Sequence, residues 1–131
     1  MQMLSRNPAA AYRRVALEAR IEASGRADLT RICLEEALGE LGRALITLER
    51  SEHNHRGVRA MSCAGHAPLT RAQTILLWLA GSVAPEHPLG TSLKAFYGGL
   101  AAQIGAQTQQ PDIARITLIR NDIKDLLEAA G

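Results

Sequence analysis

Aromatic side chains are scarce in this sequence. Phe, Trp and Tyr make up 3% of the 131 residues, although hydrophobic residues make up 47%. A core built from such a chain must consist of Leu, Ile and Ala, which favour packed helices, whereas sheets favour β-branched and aromatic residues. The aromatic residues are Tyr12, Trp78, Phe96 and Tyr97. So few rings also argue against binding of single-stranded nucleic acid by base stacking.

The chain also has only two cysteines, little net charge and no long apolar run. Cys33 and Cys63 give no disulfide framework, which indicates a reducing compartment. The net charge is +2 and the basic residues are spread along the chain, so no phosphate-binding patch is expected. The longest apolar run, residues 75–80, is far shorter than the roughly 20 residues of a membrane span, and the first residues lack the apolar stretch of a signal peptide. We expect a cytoplasmic protein that binds neither nucleic acid nor membrane.

Apolar residues recur at helical spacing along the chain, and Pro, Gly or capping residues separate the segments. The pattern predicts one all-α domain over residues 1–131, an antiparallel four-helix bundle with a short additional N-terminal helix. The first, weak helix follows Asn7-Pro8, and a long connection is expected near residues 51–68. The four longer helices are predicted from Asp28 to about Glu52, from Thr70 to Val83, from Pro88 to Ile104, and from Pro111 onward.

Each longer helix has an expected inward face. In the last helix the inward residues are Ile113, Ile116, Ile119, Ile123, Leu126 and Leu127. In the helix before it they are Leu89, Leu93, Phe96, Tyr97, Leu100 and Ile104. Glu40 is expected on the polar face of the long helix, and Thr70 with Gln73 has the spacing of a capping box. Trp78 lies off the stripe formed by Leu69, Ala72, Leu76 and Leu79, so its indole is either covered by the long connection or displayed to a partner.

One cluster has ligand-like chemistry. His53, His55, Cys63 and His66 are potential zinc donors in the long connection, but their spacing matches no standard zinc module. A small helical metal-binding protein is therefore the alternative hypothesis, and the main expectation is a protein without metal or other cofactor. No nucleophile lies in an elbow or beside a glycine-rich oxyanion loop, so we do not expect an enzyme.

Four segments, in order, resemble the flagellin-binding flagellar export chaperones of the FliS type. Residues 7–14 (NPAAAYRR) are similar to the family's Asn-Pro-x-x-Ala-Tyr-Gln-Gln. Residues 29–38 (LTRICLEEAL), 72–83 (AQTILLWLAGSV) and 92–104 (SLKAFYGGLAAQI) resemble its later blocks. Trp78 departs from the pattern, because the family usually has an acidic residue there.

The resemblance implies a chaperone without catalytic chemistry. Members hold the C-terminal segment of newly made flagellin, which is disordered when free and helical when bound, in apolar grooves along the bundle. They prevent its polymerisation in the cytoplasm and assist its delivery to the flagellar type III export apparatus. The weak first helix would cover a groove in the free protein. Further partners would be export-apparatus components or a co-chaperone. The residues we expect at the client are Tyr12, Ile32, Leu76, Trp78, Leu79, Leu93 and Phe96.

A third hypothesis is a bundle whose exposed apolar stripe serves self-association or another type III substrate.

Overall fold

The computed structural model describes Val15, residues 26–53 and residues 65–130. Within this part of the chain every regular element is helical. The helices are α1 (Arg26–His53), α2 (His66–Ser82), α3 (Gly90–Gln109) and α4 (Ile113–Ala130). They pack against one another, which confirms the prediction of an all-α bundle. Val15 is helical, and the rest of the predicted N-terminal helix lies outside the described residues.

The chain divides into two units, Met1–Ile32 and Cys33–Gly131. Among the described residues, the first unit contains Val15 and the beginning of α1. The second contains the remainder of α1 together with α2, α3 and α4, and the packing described below belongs to it. None of these four helices is both long and apolar enough to cross a membrane.

The core consists of one aliphatic stripe from each helix. In α4 the spacing of Ile116, Ile119 and Ile123 places all three on one face, and all three are buried. The same i, i+3, i+4 spacing produces the buried stripe of α2, as the sequence predicted. The largest fully buried apolar side chains are Leu34, Leu41, Leu48, Leu69, Leu76, Leu100, Ile104, Ile116, Ile119 and Ile123.

The contacts between α1 and α2 show that these helices are antiparallel. Gly65, just before α2, lies beside Ala44 and Leu48 of α1. Arg71, further along α2, contacts Glu40, which is earlier in α1. Later residues of α2 therefore contact earlier residues of α1, so the two helices run in opposite directions.

The other connections are short, as neighbouring antiparallel helices require. Residues 83–89 join α2 to α3, and Gly105 of α3 lies so close to the Gln73 amide of α2 that a Cβ at this position would collide with it. The missing Cβ leaves room for the flexible Gln73 side chain, and α2 and α3 approach each other closely at more positions than α3 and α4 do.

Three hydrogen bonds to side-chain oxygens determine where α4 begins. The Asp112 N–H donates to Gln107 Oε1 at 2.7 Å, and this Gln side chain is buried at the end of α3. Asp112 Oδ1 in turn accepts the N–H groups of Ala114 and Arg115, at 3.0 and 3.3 Å. Asp112 is thus the N-cap of α4, in agreement with the start predicted at Pro111.

Glu40 corrects one expectation. The sequence placed it on the polar face of the long helix, but its side chain is 2% exposed and faces α2. Glu40 Oε2 lies 3.0 Å from Arg43 Nη2 and 3.1 Å from Arg71 Nε. Burial raises the pKa of the Glu40 carboxyl, but the two arginines together outweigh this effect and hold the pKa below its ordinary value of 4.5. A charged carboxylate therefore links α1 to α2.

The beginning of α2 corrects a second expectation. The helix starts at His66, before the capping box predicted at Thr70, and Thr70 lies inside it with its carbonyl accepting the Thr74 hydroxyl at 2.9 Å. Gly65 precedes the helix with φ of 76°, and its carbonyl accepts the Leu69 N–H at 3.0 Å. This left-handed conformation favours glycine, so α2 begins after Gly65 without a side-chain cap.

Replacing Glu40 by Gln tests the buried ion pair. We expect a loss of about 2 kcal/mol of unfolding free energy at pH 7, below the full cost of breaking a buried pair because both arginines are partly solvated. Since the folded pKa of Glu40 is lowered, its contribution is complete above pH 4.5 and is lost as the pH falls through the folded pKa. Urea unfolding of both proteins at several pH values measures this difference.

For comparison, Glu49→Gln changes an exposed side chain of the same helix and should alter stability by less than about 0.5 kcal/mol. A stability gap between wild type and Glu40→Gln that stayed constant well below pH 4.5 would contradict the assigned role.

Two glycine-to-alanine substitutions form a matched pair. Gly65→Ala should destabilise the fold by about 1–2 kcal/mol, because alanine is strained at this φ and its Cβ would lie 3.4 Å from the Ala44 carbonyl oxygen. Gly81→Ala, in an exposed turn of α2 with open space at the Cβ position, should stabilise it by about 0.5–1 kcal/mol. Thermal unfolding distinguishes the two, and equal effects would contradict the account.

Candidate partner-binding surface

The outward side of α2 carries two large apolar side chains. Leu76 and Leu79 are buried, whereas Leu77 and Trp78 between them are 54% and 46% exposed. Each residue turns about 100° around a helix, so a run of consecutive apolar residues cannot all face the core. Thr74 and Gly81 are exposed on the same side. We call Thr74, Leu77, Trp78 and Gly81 the α2 outer face.

The two adjacent aromatic residues of α3 also differ in burial. Tyr97 is buried, but Phe96 is 41% exposed, and their ring centroids lie 6.3 Å apart. The expectation that both face inward is therefore wrong for Phe96, because neighbouring helical positions point about 100° apart. Leu89 is also exposed rather than inward-facing, since it precedes the first residue of α3.

The structure distributes the expected client-contacting residues over three environments. Trp78 and Phe96 are exposed, and Leu93 is half-buried. Ile32, Leu76 and Leu79 are buried and would reach a partner only if a neighbouring segment moved. Tyr12 lies outside the described residues.

Trp78 and Phe96 lie on different edges of the bundle. Trp78 follows Arg71 by two helical turns and so shares the edge of α2 that contacts Glu40 of α1. Gly98 shares the edge of α3 on which Gly105 meets α2, and Phe96, two positions away, points in roughly the opposite direction. A single bound helix therefore cannot cover both rings.

Charge is unevenly distributed over the helices. Arg71 is the only Asp, Glu, Lys or Arg in α2, and it is paired with Glu40, while Lys94 is the only one in α3. α1 and α4 have charged residues in nearly every turn. The exposed apolar side chains of α2 and α3 thus stand on the part of the described surface with the fewest charges.

Leu77 was missed as a candidate, although a signal was present. Residues 75–80 are all apolar, more than one inward stripe can use, so some of them had to face outward. Leu118 of α4 and Ile46 of α1 are similarly exposed, at 60% and 52%. Each is the one large exposed apolar side chain among the described side chains of its helix, and both helices carry many charged residues.

Two buried side chains, Cys33 and Tyr97, have shifted pKa values. Burial, with a smaller effect from Glu36, raises the pKa of the Cys33 thiol. Burial, with a smaller effect from the nearby Cys33, raises the pKa of the Tyr97 hydroxyl. Both groups stay protonated at neutral pH, which makes Cys33 a weak nucleophile.

Most of the potential zinc donors lie outside the described residues. His66 is exposed in the first turn of α2, and His55, Cys63 and the His53 side chain lie outside the described residues. Among the side chains that are described, no three His, Cys, Asp or Glu converge as metal ligands would.

No protein-family model matches this chain, and no curated protein or solved structure is significantly similar to it.

Metal analysis of untagged protein tests the zinc alternative. We expect less than about 0.2 equivalents of zinc and the same melting temperature with and without a chelator, because structural zinc contributes directly to folding free energy. One equivalent of bound zinc, with a melting temperature that falls after chelation, would favour the metal-binding hypothesis.

Proposed function

We propose that this protein is an export chaperone whose exposed apolar side chains bind a client segment that becomes helical on binding. The client is the C-terminal segment of flagellin, which the chaperone keeps unpolymerised in the cytoplasm and delivers to the flagellar type III export apparatus. The observation that carries the proposal is the 46% exposure of Trp78 on an almost uncharged helix. The identity of the client comes from the sequence resemblance in residues 7–14, 29–38, 72–83 and 92–104.

The exposed rings provide enough apolar area to matter for binding. A Trp side chain presents about 150–250 Å² when fully exposed, so covering the exposed part of Trp78 removes roughly 100 Å² from water. At about 25 cal/mol per Å², this contributes roughly 2.5 kcal/mol before the ordering of the client is subtracted. Tryptophan is also among the residues that most often dominate binding energy.

The geometry favours an extended client over a compact one. Because Trp78 and Phe96 lie on different edges of the bundle, a client that contacts both has to wrap around it. A segment that is disordered when free can do this, since it covers a large surface while folding. Leu93 is half-buried beside Phe96 in sequence and would add apolar area at that second contact.

Titration calorimetry with a peptide of the C-terminal segment of the host's flagellin tests the proposal. We expect saturable binding with a Kd of tens of micromolar or lower. Trp78→Asp and Phe96→Asp should each raise the Kd at least tenfold, because each places a charge at an apolar contact. Both side chains are exposed, so both variants should keep the wild-type helical circular dichroism spectrum.

Ile46→Asp is the matched control. It changes a side chain of similar exposure on α1, outside the proposed contacts, and should leave the Kd unchanged within about twofold. Absence of saturable binding by the wild type at these concentrations, or an equal loss in all three variants, would overturn the proposed function.

A further inference from the structure

We propose that Arg71 binds a carboxylate of the client, so that the client segment carries an acidic residue about two helical turns from the apolar residue that contacts Trp78. The inference rests on the proposed function, because it describes how the same client is recognised. Three observations support it: the partly unused guanidinium of Arg71, its place on the same edge of α2 as Trp78, and the absence of any other Asp, Glu, Lys or Arg from this helix.

Glu40 engages only one nitrogen of the Arg71 guanidinium. Arg71 Nε is buried and lies 3.1 Å from Glu40 Oε2, whereas the Arg71 side chain as a whole is 35% exposed. Its other contacts with described residues include no hydrogen bond or ion pair. Nη1 and Nη2, which carry two N–H groups each, are therefore available to an acceptor from a partner.

Arg43, the other arginine at Glu40, has less spare capacity. Arg43 Nε donates to Glu40 Oε1 at 3.2 Å, and Arg43 Nη2 lies 3.0 Å from Glu40 Oε2 and 3.6 Å from Glu36 Oε2. Arg43 thus faces two carboxylates, whereas Arg71 faces one through a single nitrogen. The planar guanidinium of Arg71 suits a second carboxylate, because Nη1 and Nη2 can donate two parallel hydrogen bonds to it.

Arg71 and Trp78 lie along one edge of α2. They are seven residues apart in the chain, which is two helical turns and a rise of roughly 10 Å. Thr74 between them is exposed, and its hydroxyl donates to the Thr70 carbonyl at 2.9 Å, so a client can cover it without breaking its hydrogen bond. A client helix that follows this edge meets Trp78 with an apolar residue and Arg71 with an acidic one.

An acidic client fits this edge better than a neutral or basic one. Covering a charged group is costly unless the group is paired, because it loses its hydration. An acidic residue at the right spacing pairs the free N–H groups of Arg71, whereas a neutral or basic residue leaves them unpaired. Since α2 has no other Asp, Glu, Lys or Arg, charge recognition along this helix depends on Arg71. Complementary charge of this kind contributes specificity to binding.

Binding of the flagellin C-terminal peptide to variants of the ion pair tests the inference. Arg71→Gln should raise the Kd by roughly fivefold or more, because charge-assisted hydrogen bonds to the client are lost. Glu40→Gln breaks the same ion pair but leaves Arg71 charged, so its Kd should stay within about twofold of wild type or fall. Arg115→Gln, at an exposed arginine of α4, is the charge-matched control and should change the Kd by less than about twofold.

Glu40→Gln separates contact with the client from a purely structural role. If Arg71 acted only by holding α2 against α1, both substitutions would weaken binding equally. An equal loss in Glu40→Gln and Arg71→Gln, or unchanged binding by Arg71→Gln, would overturn the inference and leave the proposed function standing. Absence of binding by the wild type would overturn the proposed function and this inference with it. All titrations are made at a temperature where each variant keeps the wild-type circular dichroism spectrum.

Single substitutions in the peptide identify the carboxylate. Each Asp or Glu of the peptide is changed in turn to Asn or Gln, and each peptide is titrated into wild type and into Arg71→Gln. At one position the change should weaken binding to wild type by roughly fivefold or more but alter binding to Arg71→Gln by less than about twofold. That position should lie about seven residues from an apolar residue whose replacement by Ala no longer weakens binding to Trp78→Asp. Absence of such coupling at every acidic position would overturn the inference.

Discussion

The burial of one aliphatic stripe per helix is the constraint on which the remainder of this structure depends. With so few aromatic residues, the core must be filled by Leu, Ile and Ala, and these fill it only when all four helices contribute. A helix can bury a limited width of its surface, so apolar residues beyond the stripe are forced outward. Residues 75–80 exceed that width, and Leu77 and Trp78 are the result. The candidate surface is therefore a consequence of the same pattern that forms the core.

The ion pair of Glu40 adds specificity to this packing. Aliphatic stripes alone permit helices to slide by a turn, because one leucine replaces another at little cost. Glu40 lies in the buried seam between α1 and α2, where any shift would separate it from Arg71. A buried charge without its partner is strongly unfavourable. This single contact is consistent with the observed register of α1 against α2. The same register sets the position of Trp78 relative to α1.

Much of the fold could be predicted from the sequence, because apolar spacing reports directly on helix faces. The buried stripe of α2 was predicted residue by residue. In α4 the predicted Ile116, Ile119 and Ile123 are buried, whereas the other three residues of the predicted inward set, Ile113, Leu126 and Leu127, are only half-buried. The predictions failed where contacts between helices determine which side chains are buried and where a helix begins. From the sequence alone Glu40 cannot be distinguished from a surface glutamate, because its partner Arg71 belongs to another helix. Gly65 precedes α2 in a left-handed conformation without a side-chain cap, so no capping residue marks this helix start in the sequence. Phe96 and Tyr97 are adjacent, and only the packing of α3 determines which of the two is buried.

The central claim is that Trp78 contacts a partner, and its fluorescence can test this directly because it is the only tryptophan. At about 1 µM protein, acrylamide should quench the partly exposed indole efficiently. Saturating flagellin peptide should lower the quenching constant and shift the emission to shorter wavelength. An unchanged quenching constant and spectrum at saturation would contradict the account.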